Sequence, residues 1–219
     1  MPEDTRHSRA EEAAIIQDPD SLARQEAQNG LKQFQAVVEM IESFLQPERP
    51  FKFRPSQLLH LHRTALMGIT NYAGNWRPAN IEIGGSKHKP PGAFAVPEEI
   101  EALCDYVNDK WNEKSAIHLA AYVLWRLNWI HPFTDGNGRT SRAASYMVLC
   151  LKLGYLLPGR LTIPDQISRD KTPYYKALES ADEACAKGPI DLTAMKDLLA
   201  SMLAKQLLAV HEDSKAGDE

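Results

Sequence analysis

The chain has 219 residues, of which 43% are hydrophobic and 25% charged, as is typical of one large globular domain or of a domain with a small extension. Its 25 basic and 29 acidic side chains give a formal net charge of -4, which argues against a general nucleic-acid-binding protein. No apolar run approaches the roughly 20 residues that cross a bilayer, and the first residues lack the apolar core of a signal peptide. These features predict a cytoplasmic protein that does not bind membranes.

Residues 1–54 are predicted to form an N-terminal helical extension with a candidate regulatory role. The first 19 or so residues are polar and highly charged, so we expect them to be mobile. A helix follows, because apolar residues recur at steps of three and four. The predicted buried stripe of this helix is Leu31, Phe34, Val37, Val38, Ile41, Phe44 and Leu45.

Residues 55–219 are predicted to form the main domain, which is all-α apart from one β-hairpin. Residues 115–130 are apolar almost all round, which is typical of a central, buried helix. The exception is residues 68–95, which are rich in Gly, Pro and Asn and contain the alternating stretch "NIEIGG". This composition predicts a short hairpin, or flap, that turns near Gly84-Gly85-Ser86 and ends at Pro90-Pro91.

The stretch "HPFTDGNGRTSR", residues 131–142, carries the chemistry of the chain. Glycines on both sides of Asn137 allow successive backbone N–H groups to converge on an anion, and the helix that follows directs its positive end to the same point. Arg139 and Arg142 lie three residues apart on that helix, and guanidinium groups match phosphate oxygens. The pattern therefore predicts a site for a di- or triphosphate.

Two further residues of this stretch predict a transfer reaction at the phosphate site. Asp135 would repel phosphates unless a cation bridged them, and Mg²⁺ commonly binds through one or two carboxylates and substrate phosphates. His131 ends the buried helix, and an imidazole there can act as a general base. A base, a metal ligand and a phosphate clamp together indicate phosphoryl or nucleotidyl transfer.

At these residues the chain resembles the Fic family of the Fic/Doc superfamily, whose motif His-x-Phe-x-(Asp/Glu)-Gly-Asn-Gly-Arg-x-x-Arg it matches completely from His131 to Arg142. The resemblance implies a Fic fold, a helical bundle with a short β-hairpin flap over the active site. It also implies AMPylation, the transfer of AMP from ATP to a Ser, Thr or Tyr hydroxyl of a target protein. The implied roles are general base for His131, a Mg²⁺ ligand for Asp135, and phosphate binding for Gly136, Asn137, Gly138, Arg139 and Arg142.

Two more segments share the resemblance. The flap, including Ile81, Glu82, Ile83, Gly84 and Gly85, would dock the target by strand addition. Either of two tyrosines in "YYKAL", Tyr174 or Tyr175, would pack against adenine. Doc-like kinases carry lysine at the position of Gly138, so glycine favours AMP transfer; transfer of UMP or another group stays open.

The chain departs from the family in its regulatory motif. Many Fic proteins carry an inhibitory helix with the pattern (Ser/Thr)-x-x-x-Glu-(Gly/Asn), whose glutamate pairs with the second arginine of the motif. Here Ser21 lies five residues before Glu26, and Ala27 follows it, so Glu26 is a degenerate candidate that we expect to compete for Arg142. A small antitoxin-like inhibitor and self-AMPylation are further expectations. The alternative functions are de-AMPylation, with Glu26 positioning water, and a non-catalytic nucleotide-binding regulatory module.

Overall fold

A computed structural model describes residues 15–216, with side chains up to residue 211. Most of the residues predicted to be mobile lie outside this range. The described part of the chain is helical, without a strand. Its helices are α1 (Pro19–Phe44), α2 (Pro55–Leu66), α3 (Val96–Asp109), α4 (Ala116–Ile130), α5 (Asn137–Leu153), α6 (Ile163–Arg169), α7 (Thr172–Lys187) and α8 (Thr193–Ala216), with a short 3-10 helix at Ala93–Ala95.

Helices α4 and α5 form the centre of the bundle and pack against each other along their lengths. Helix α4 is buried on most of its circumference, as its apolar sequence predicts, and Trp125 is fully enclosed. Helices α3, α7 and α8 pack against α4, whereas α1, α2 and α6 pack against α5. The junction between the two central helices, which carries the sequence motif, is therefore surrounded by other elements.

Helix α1 packs against α2 and α5, and its two halves do so differently. The C-terminal half buries Val37 and Ile41 as predicted. In the N-terminal half the predicted stripe is wrong, because Leu31 and Phe34 are 75% and 44% exposed. The inward face there carries buried amides, Asn29 and Gln33, which hydrogen-bond to carbonyl oxygens of α2 and of the residue that follows it.

The flap segment between α2 and α3 does not form the predicted hairpin within the described residues. Ile83 makes a single bridge, the Ser86 N–H donates to its carbonyl at 3.2 Å, and the rest of residues 79–91 is irregular. The returning arm contains Pro90 and Pro91, which have no N–H to donate to a ladder. This arrangement leaves the flap as a loop with a turn.

Within the described residues, no helix combines the length and the apolar character that crossing a bilayer requires.

Candidate active site

His131 ends α4 in an unusual backbone conformation. It is the C-cap of the helix, with φ 51° and ψ 59°, and among the described residues it is the one non-glycine residue with a positive φ. Its N–H still donates to the Leu127 carbonyl at 2.9 Å, so the helix is complete up to this point. The left-handed conformation costs a non-glycine residue about 1 kcal/mol or more, and it turns the chain sharply toward α5.

The imidazole of His131 is buried and oriented by α4. Its Nδ1 lies 3.2 Å from the carbonyl oxygen of Asn128. A carbonyl only accepts, so Nδ1 carries the proton and Nε2 is the basic nitrogen of the ring. Asn128 is itself fixed, because its Nδ2 donates to the Leu124 carbonyl and to Oγ of Ser141, the latter at 2.8 Å. The base predicted from sequence therefore has a defined tautomer.

Asn137 closes the loop between the two helices with its side chain. Its Oδ1 accepts from the Phe133 N–H and its Nδ2 donates to the Phe133 carbonyl, both at 2.9 Å. The side chain is buried and engaged in these hydrogen bonds. Only the backbone N–H of Asn137 is therefore left for the phosphate binding that the sequence predicts. Phe133 itself is fully buried.

His62 on α2 supports the same loop, which sequence reasoning missed. Its ring stacks on Phe133 with centroids 3.7 Å apart. Its Nδ1 accepts from the Gly74 N–H at 2.9 Å, so Nε2 is the nitrogen that donates, to the Asp135 carbonyl at 3.0 Å. Burial lowers the pKa of His62 to about 4, so the ring is neutral at physiological pH. A histidine in the helix before the flap, among buried leucines, was the available signal.

The two glycines of the loop are required for different reasons. Gly136 has φ 73°, and a Cβ at this position would lie 2.4 Å from Cδ2 of Leu66. Gly138 is the second residue of α5, and a Cβ there would lie 3.0 Å from Nη1 of Arg142. Gly138 therefore makes room for the guanidinium group of Arg142 to fold back over the start of the helix.

The two arginines of the motif differ in their partners. Arg139 donates to Asp135 at 2.8 Å and to Glu26 of α1 at 3.0 Å. Arg142 lies in the cleft near Tyr174 and Tyr175, burial lowers its pKa, and none of the described carboxylates forms an ion pair with it. The expectation that Glu26 pairs with Arg142 is thus wrong. Arg139 points toward α1, whereas Arg142 is turned toward α7.

These residues line one cleft of about 650 Å³ between α1, the flap, α5 and α7. Tyr174 is only 1% exposed and belongs mainly to the core, whereas Tyr175 is half-buried with its ring 5.6 Å from that of Tyr174. Of the predicted flap residues, buried Ile83 lines the cleft, while Glu82 is exposed. The predicted site residues in the cleft wall are Glu26, Ile83, His131, Asp135, Gly136, Asn137, Gly138, Arg139, Arg142, Tyr174 and Tyr175.

The cleft also contains polar residues that the sequence reasoning did not select. Ser168 and Lys171, at the α6–α7 connection, line the end of the cleft beside the tyrosines. Lys171 adds a third cation to the wall. It directly precedes α7, and the Pro173 that marks the start of this helix was the signal that could have identified it.

The carboxylates in the cleft fit a cation that arrives with its own phosphate ligands. Asp135 and Glu26 are the acidic residues of the lining. Asp135 accepts from the Gly136 N–H at 2.5 Å and from Arg139. In the described residues no three His, Cys, Asp or Glu side chains group as a metal site. Mg²⁺ commonly binds through one or two carboxylates together with substrate phosphates, and Asp135 beside the N-terminus of α5 suits that arrangement.

Comparison with known proteins identifies related sequences and folds. Residues 52–149 match the model of the Fic/DOC family. The chain is 32% identical over 128 residues to "Protein adenylyltransferase Fic" of Drosophila willistoni, an alignment that covers 58% of this chain and 24% of that protein. This chain thus spans about a quarter of the length of that relative.

Two solved structures show the same fold. A Fic family protein from Desulfovibrio desulfuricans aligns with a TM-score of 0.66 and 22% identity, over 93% of this chain and 56% of that one. A VirB-translocated effector protein of Bartonella tribocorum, solved with bound AMPPNP, aligns with a TM-score of 0.56 and 21% identity, over 85% of this chain and 88% of that one.

Proposed function

The chain contains a domain of the Fic/DOC family, and on that premise we propose that it is a protein adenylyltransferase, which transfers AMP from ATP to a Ser, Thr or Tyr hydroxyl of a target protein. The observation that carries the proposal is the single cleft that brings His131, the N-terminus of α5, Arg139 and Arg142 together. A base beside a strongly cationic phosphate site is the arrangement that in-line transfer to a hydroxyl requires.

In the proposed reaction His131 acts as the general base. The hydroxyl oxygen of the target forms a bond to the α-phosphorus of ATP, and the bond from that phosphorus to the bridging oxygen of pyrophosphate breaks. The hydroxyl proton passes to Nε2 of His131, since Nδ1 is directed at the Asn128 carbonyl. The buried, oriented ring needs little rearrangement to accept this proton, which lowers the barrier.

The phosphate chain of ATP would lie across the start of α5. The first N–H groups of a helix have no acceptor in a preceding turn, so those of Asn137 and Gly138 can donate to phosphate oxygens. Arg142 offers a guanidinium group that has no carboxylate partner in the described residues. Arg139 offers a second guanidinium group once phosphate replaces Glu26 as its partner. Mg²⁺, held by Asp135 and the phosphates, would neutralise charge on the leaving pyrophosphate.

The nucleoside and the target would occupy opposite ends of the cleft. Tyr175 has the more accessible ring of the two tyrosines, so we assign adenine packing to it and a supporting position to Tyr174. The flap residues Ile81–Gly85 carry backbone groups that a target segment can pair with by strand addition. Such pairing would also complete the hairpin that the flap alone does not form.

Glu26 is proposed to restrain the enzyme through Arg139. Its carboxylate occupies one of the two arginines that bind phosphate, so ATP must displace it. With Arg139 26% and Glu26 43% exposed, the pair contributes at most about 1 kcal/mol. We therefore expect Glu26→Gly to increase ATP affinity by a few-fold and to increase self-AMPylation. Unchanged affinity and unchanged self-modification would exclude this role and leave inhibition to a separate small protein.

The test of the proposed function is transfer of label from [α-³²P]ATP to protein in a lysate. Wild-type chain and Glu26→Gly should label protein hydroxyls, whereas His131→Ala should lose at least about a hundredfold of the rate. A titration should show that His131→Ala still binds ATP, so that the loss is assigned to the chemical step. Label transfer by His131→Ala at the wild-type rate would contradict the mechanism.

De-AMPylation is a second candidate because Glu26 lines the same cleft as His131 and Asp135. A carboxylate at this position can orient a water molecule toward a phosphodiester. Incubation with a protein that already carries AMP distinguishes the two reactions. Release of AMP that is lost in Glu26→Gly would favour hydrolysis, whereas gain of label by the same variant favours transfer.

A further inference from the structure

Arg77, two residues before the flap segment 79–91, is a buried cation held by backbone oxygens. It is 2% exposed, and burial alone lowers its pKa. Its three side-chain hydrogen bonds in the described residues all end on carbonyl groups: those of His131, Ala79 and Pro91. Burying a guanidinium group without a carboxylate is costly, and only such multiple hydrogen bonds offset it.

One side of Arg77 holds the backbone of the catalytic loop. Its Nε donates to the carbonyl of His131 at 2.9 Å, and its own N–H donates to the carbonyl of Pro132 at 2.8 Å. These two carbonyls follow the left-handed turn at His131. Because this conformation is unfavourable for a non-glycine residue, it persists only where its surroundings fix it. Arg77 supplies two of the fixing contacts.

The other side of Arg77 closes the base of the flap. Nη1 donates to the Ala79 carbonyl at 2.9 Å and Nη2 donates to the Pro91 carbonyl. Ala79 and Pro91 stand at the two ends of the flap segment, so a single planar group ties its entry to its exit. Five donors in a rigid fork allow arginine to make these contacts at once, whereas lysine has one flexible ammonium group.

A second contact joins the flap to the same end of α4. The ring Nε2 of His88 donates to the Trp129 carbonyl at 2.7 Å, and the two rings lie 5.2 Å apart. Trp129 is two residues before His131. The flap is thus attached on both sides of the turn that places the base, and displacement of the flap changes the forces on that turn.

We propose that Arg77 is a positioning residue that couples occupation of the flap by a target to the placement of His131. The inference rests on the proposed function, since it assigns docking to the flap and proton acceptance to His131. Arg77 does not line the cleft, so it would act through the backbone at residues 79, 91, 131 and 132. A target strand that pairs with the flap would hold Ala79 and Pro91 in place. The hydrogen bonds that Arg77 makes to them and to His131 would then be strengthened, which stabilises the left-handed turn at His131.

The variant Arg77→Lys tests this coupling, with exposed Arg160→Lys as its matched control. For Arg77→Lys we expect kcat for a protein target to fall about tenfold or more and KM for the target to rise, because small misplacements of a base have large effects. One ATP should still bind per chain with a Kd within about twofold of wild type, since the phosphate contacts are untouched. A partly misfolded protein would instead show a reduced binding stoichiometry. Arg160→Lys should match wild type in every respect.

Hydrogen exchange gives a second readout that does not depend on activity. In Arg77→Lys, amides of the flap segment 79–91 and of residues 131–133 should lose protection together, by about the same factor. The proposal would be overturned if only one of the segments 79–91 and 131–133 lost protection. It would also be overturned if kcat and the KM for the target both stayed at wild-type values. If wild type transfers no label at all, the proposed function fails, and joint or separate loss of protection still decides whether Arg77 couples the two segments.

Discussion

The α4–α5 junction and the N-terminal half of α1 both reach the same cleft, yet they are held in different ways. In the junction, residues 131–138, buried side chains fix the backbone on several sides: His62, Arg77 and Asn137 each bond to it. In the N-terminal part of α1, residues 19–35, the inward face carries two amides, while Leu31 and Phe34 face outward.

The two regions therefore have different proposed tasks. The junction holds His131, the proposed base, whereas α1 holds Glu26, the proposed inhibitory residue. Each amide hydrogen bond of Asn29 and Gln33 contributes about 1 kcal/mol, and the exposed Glu26–Arg139 pair at most about as much. A few kcal/mol therefore hold Glu26 at the cleft. The hydrogen bonds of His62, Arg77 and Asn137 that fix the junction do not involve α1, so α1 can shift without disturbing the position of His131.

The largest effect is expected from a change that breaks the junction. Gly136→Ala adds a Cβ 2.4 Å from Cδ2 of Leu66 at a residue with φ 73°, so the buried Leu66 side chain, α2 or the loop between α4 and α5 must move. We expect a loss of about 4 kcal/mol in the free energy of unfolding, together with loss of ATP binding. Urea unfolding and an ATP titration measure the two effects.

Gly154→Ala is the matched control for this variant. Gly154 also has a left-handed backbone, with φ 86° at the end of α5, but a Cβ there meets nothing within 4 Å. Conformational strain alone should cost about 1 kcal/mol and leave ATP binding intact. Equal losses of stability in the two variants would contradict the close packing of the loop between α4 and α5 on α2.

The junction is also the part that the sequence predicts best, for a physical reason. Its groups lie within twelve consecutive residues, and the conformations of glycines, a helix end and a helix start are local properties. His131 as a helix end and the glycine turn before α5 needed no knowledge of distant contacts. The partners that hold them, Arg77 and His62, come from 54 and 73 residues away and carry no local pattern.

The α1 half and the flap show where sequence patterns fail. Leu31 and Phe34 fit a helical stripe, but backbone carbonyls in the second half of α2 select Asn29 and Gln33 for the inward face. The rotation of α1 likewise determines that Glu26 meets Arg139 and not Arg142. The flap has the alternation of a strand but no partner strand among the described residues. In each case the outcome depends on a tertiary partner.

The second prediction concerns the pH dependence of the junction. Burial lowers the pKa of His62 to about 4 from 6.5, so between these values the unfolded chain binds more protons than the folded protein. The contribution of neutral His62 to the free energy of unfolding is complete above pH 7. It is lost progressively as pH falls from about 6.5 to about 4, and the total loss is about 3 kcal/mol. Urea unfolding at pH 7.5, 6 and 4.5 measures this loss.

His62→Gln is the control for the pH effect, because glutamine keeps a donor and an acceptor without titrating. The variant should be less stable than wild type at pH 7.5, and the difference in free energy of unfolding between the two proteins should decrease as pH falls. A difference that stays constant would show that His62 does not titrate in this range. The carboxylates of the chain affect both proteins alike, so they cancel in the comparison.

The third prediction compares one asparagine in each region, since each makes two hydrogen bonds to backbone. Asn137→Ala leaves a buried N–H and a buried carbonyl of Phe133 without partners and should cost about 2 to 3 kcal/mol. Asn29→Ala frees the carbonyls of Ala65 and Met67, of which the second belongs to an exposed residue that water can reach, and should cost about 1 to 2 kcal/mol. Thermal unfolding of both variants, with exposed Gln35→Ala as a reference, gives the ranking.

Hydrogen exchange locates these two losses. Asn29→Ala should increase exchange in the first half of α1 only and should increase ATP affinity slightly, because Glu26 becomes easier to displace. Asn137→Ala should increase exchange across the junction and weaken ATP binding. The reverse ranking of stability would mean that α1, and not the junction, is the firmly held region.

The smallest effect is expected from Gly30→Ala, which strengthens α1 without a new contact. Gly30 lies inside α1, and a Cβ there meets nothing within 4 Å, so alanine should stabilise the helix by about 0.5 to 1 kcal/mol and serine by about half as much. A firmer α1 holds Glu26 on Arg139 more often, so ATP affinity should decrease slightly in the same order. Stabilisation without any change in ATP affinity would show that fraying of α1 does not govern access to Arg139, and that exchange of Glu26 for phosphate occurs by side-chain rotation alone.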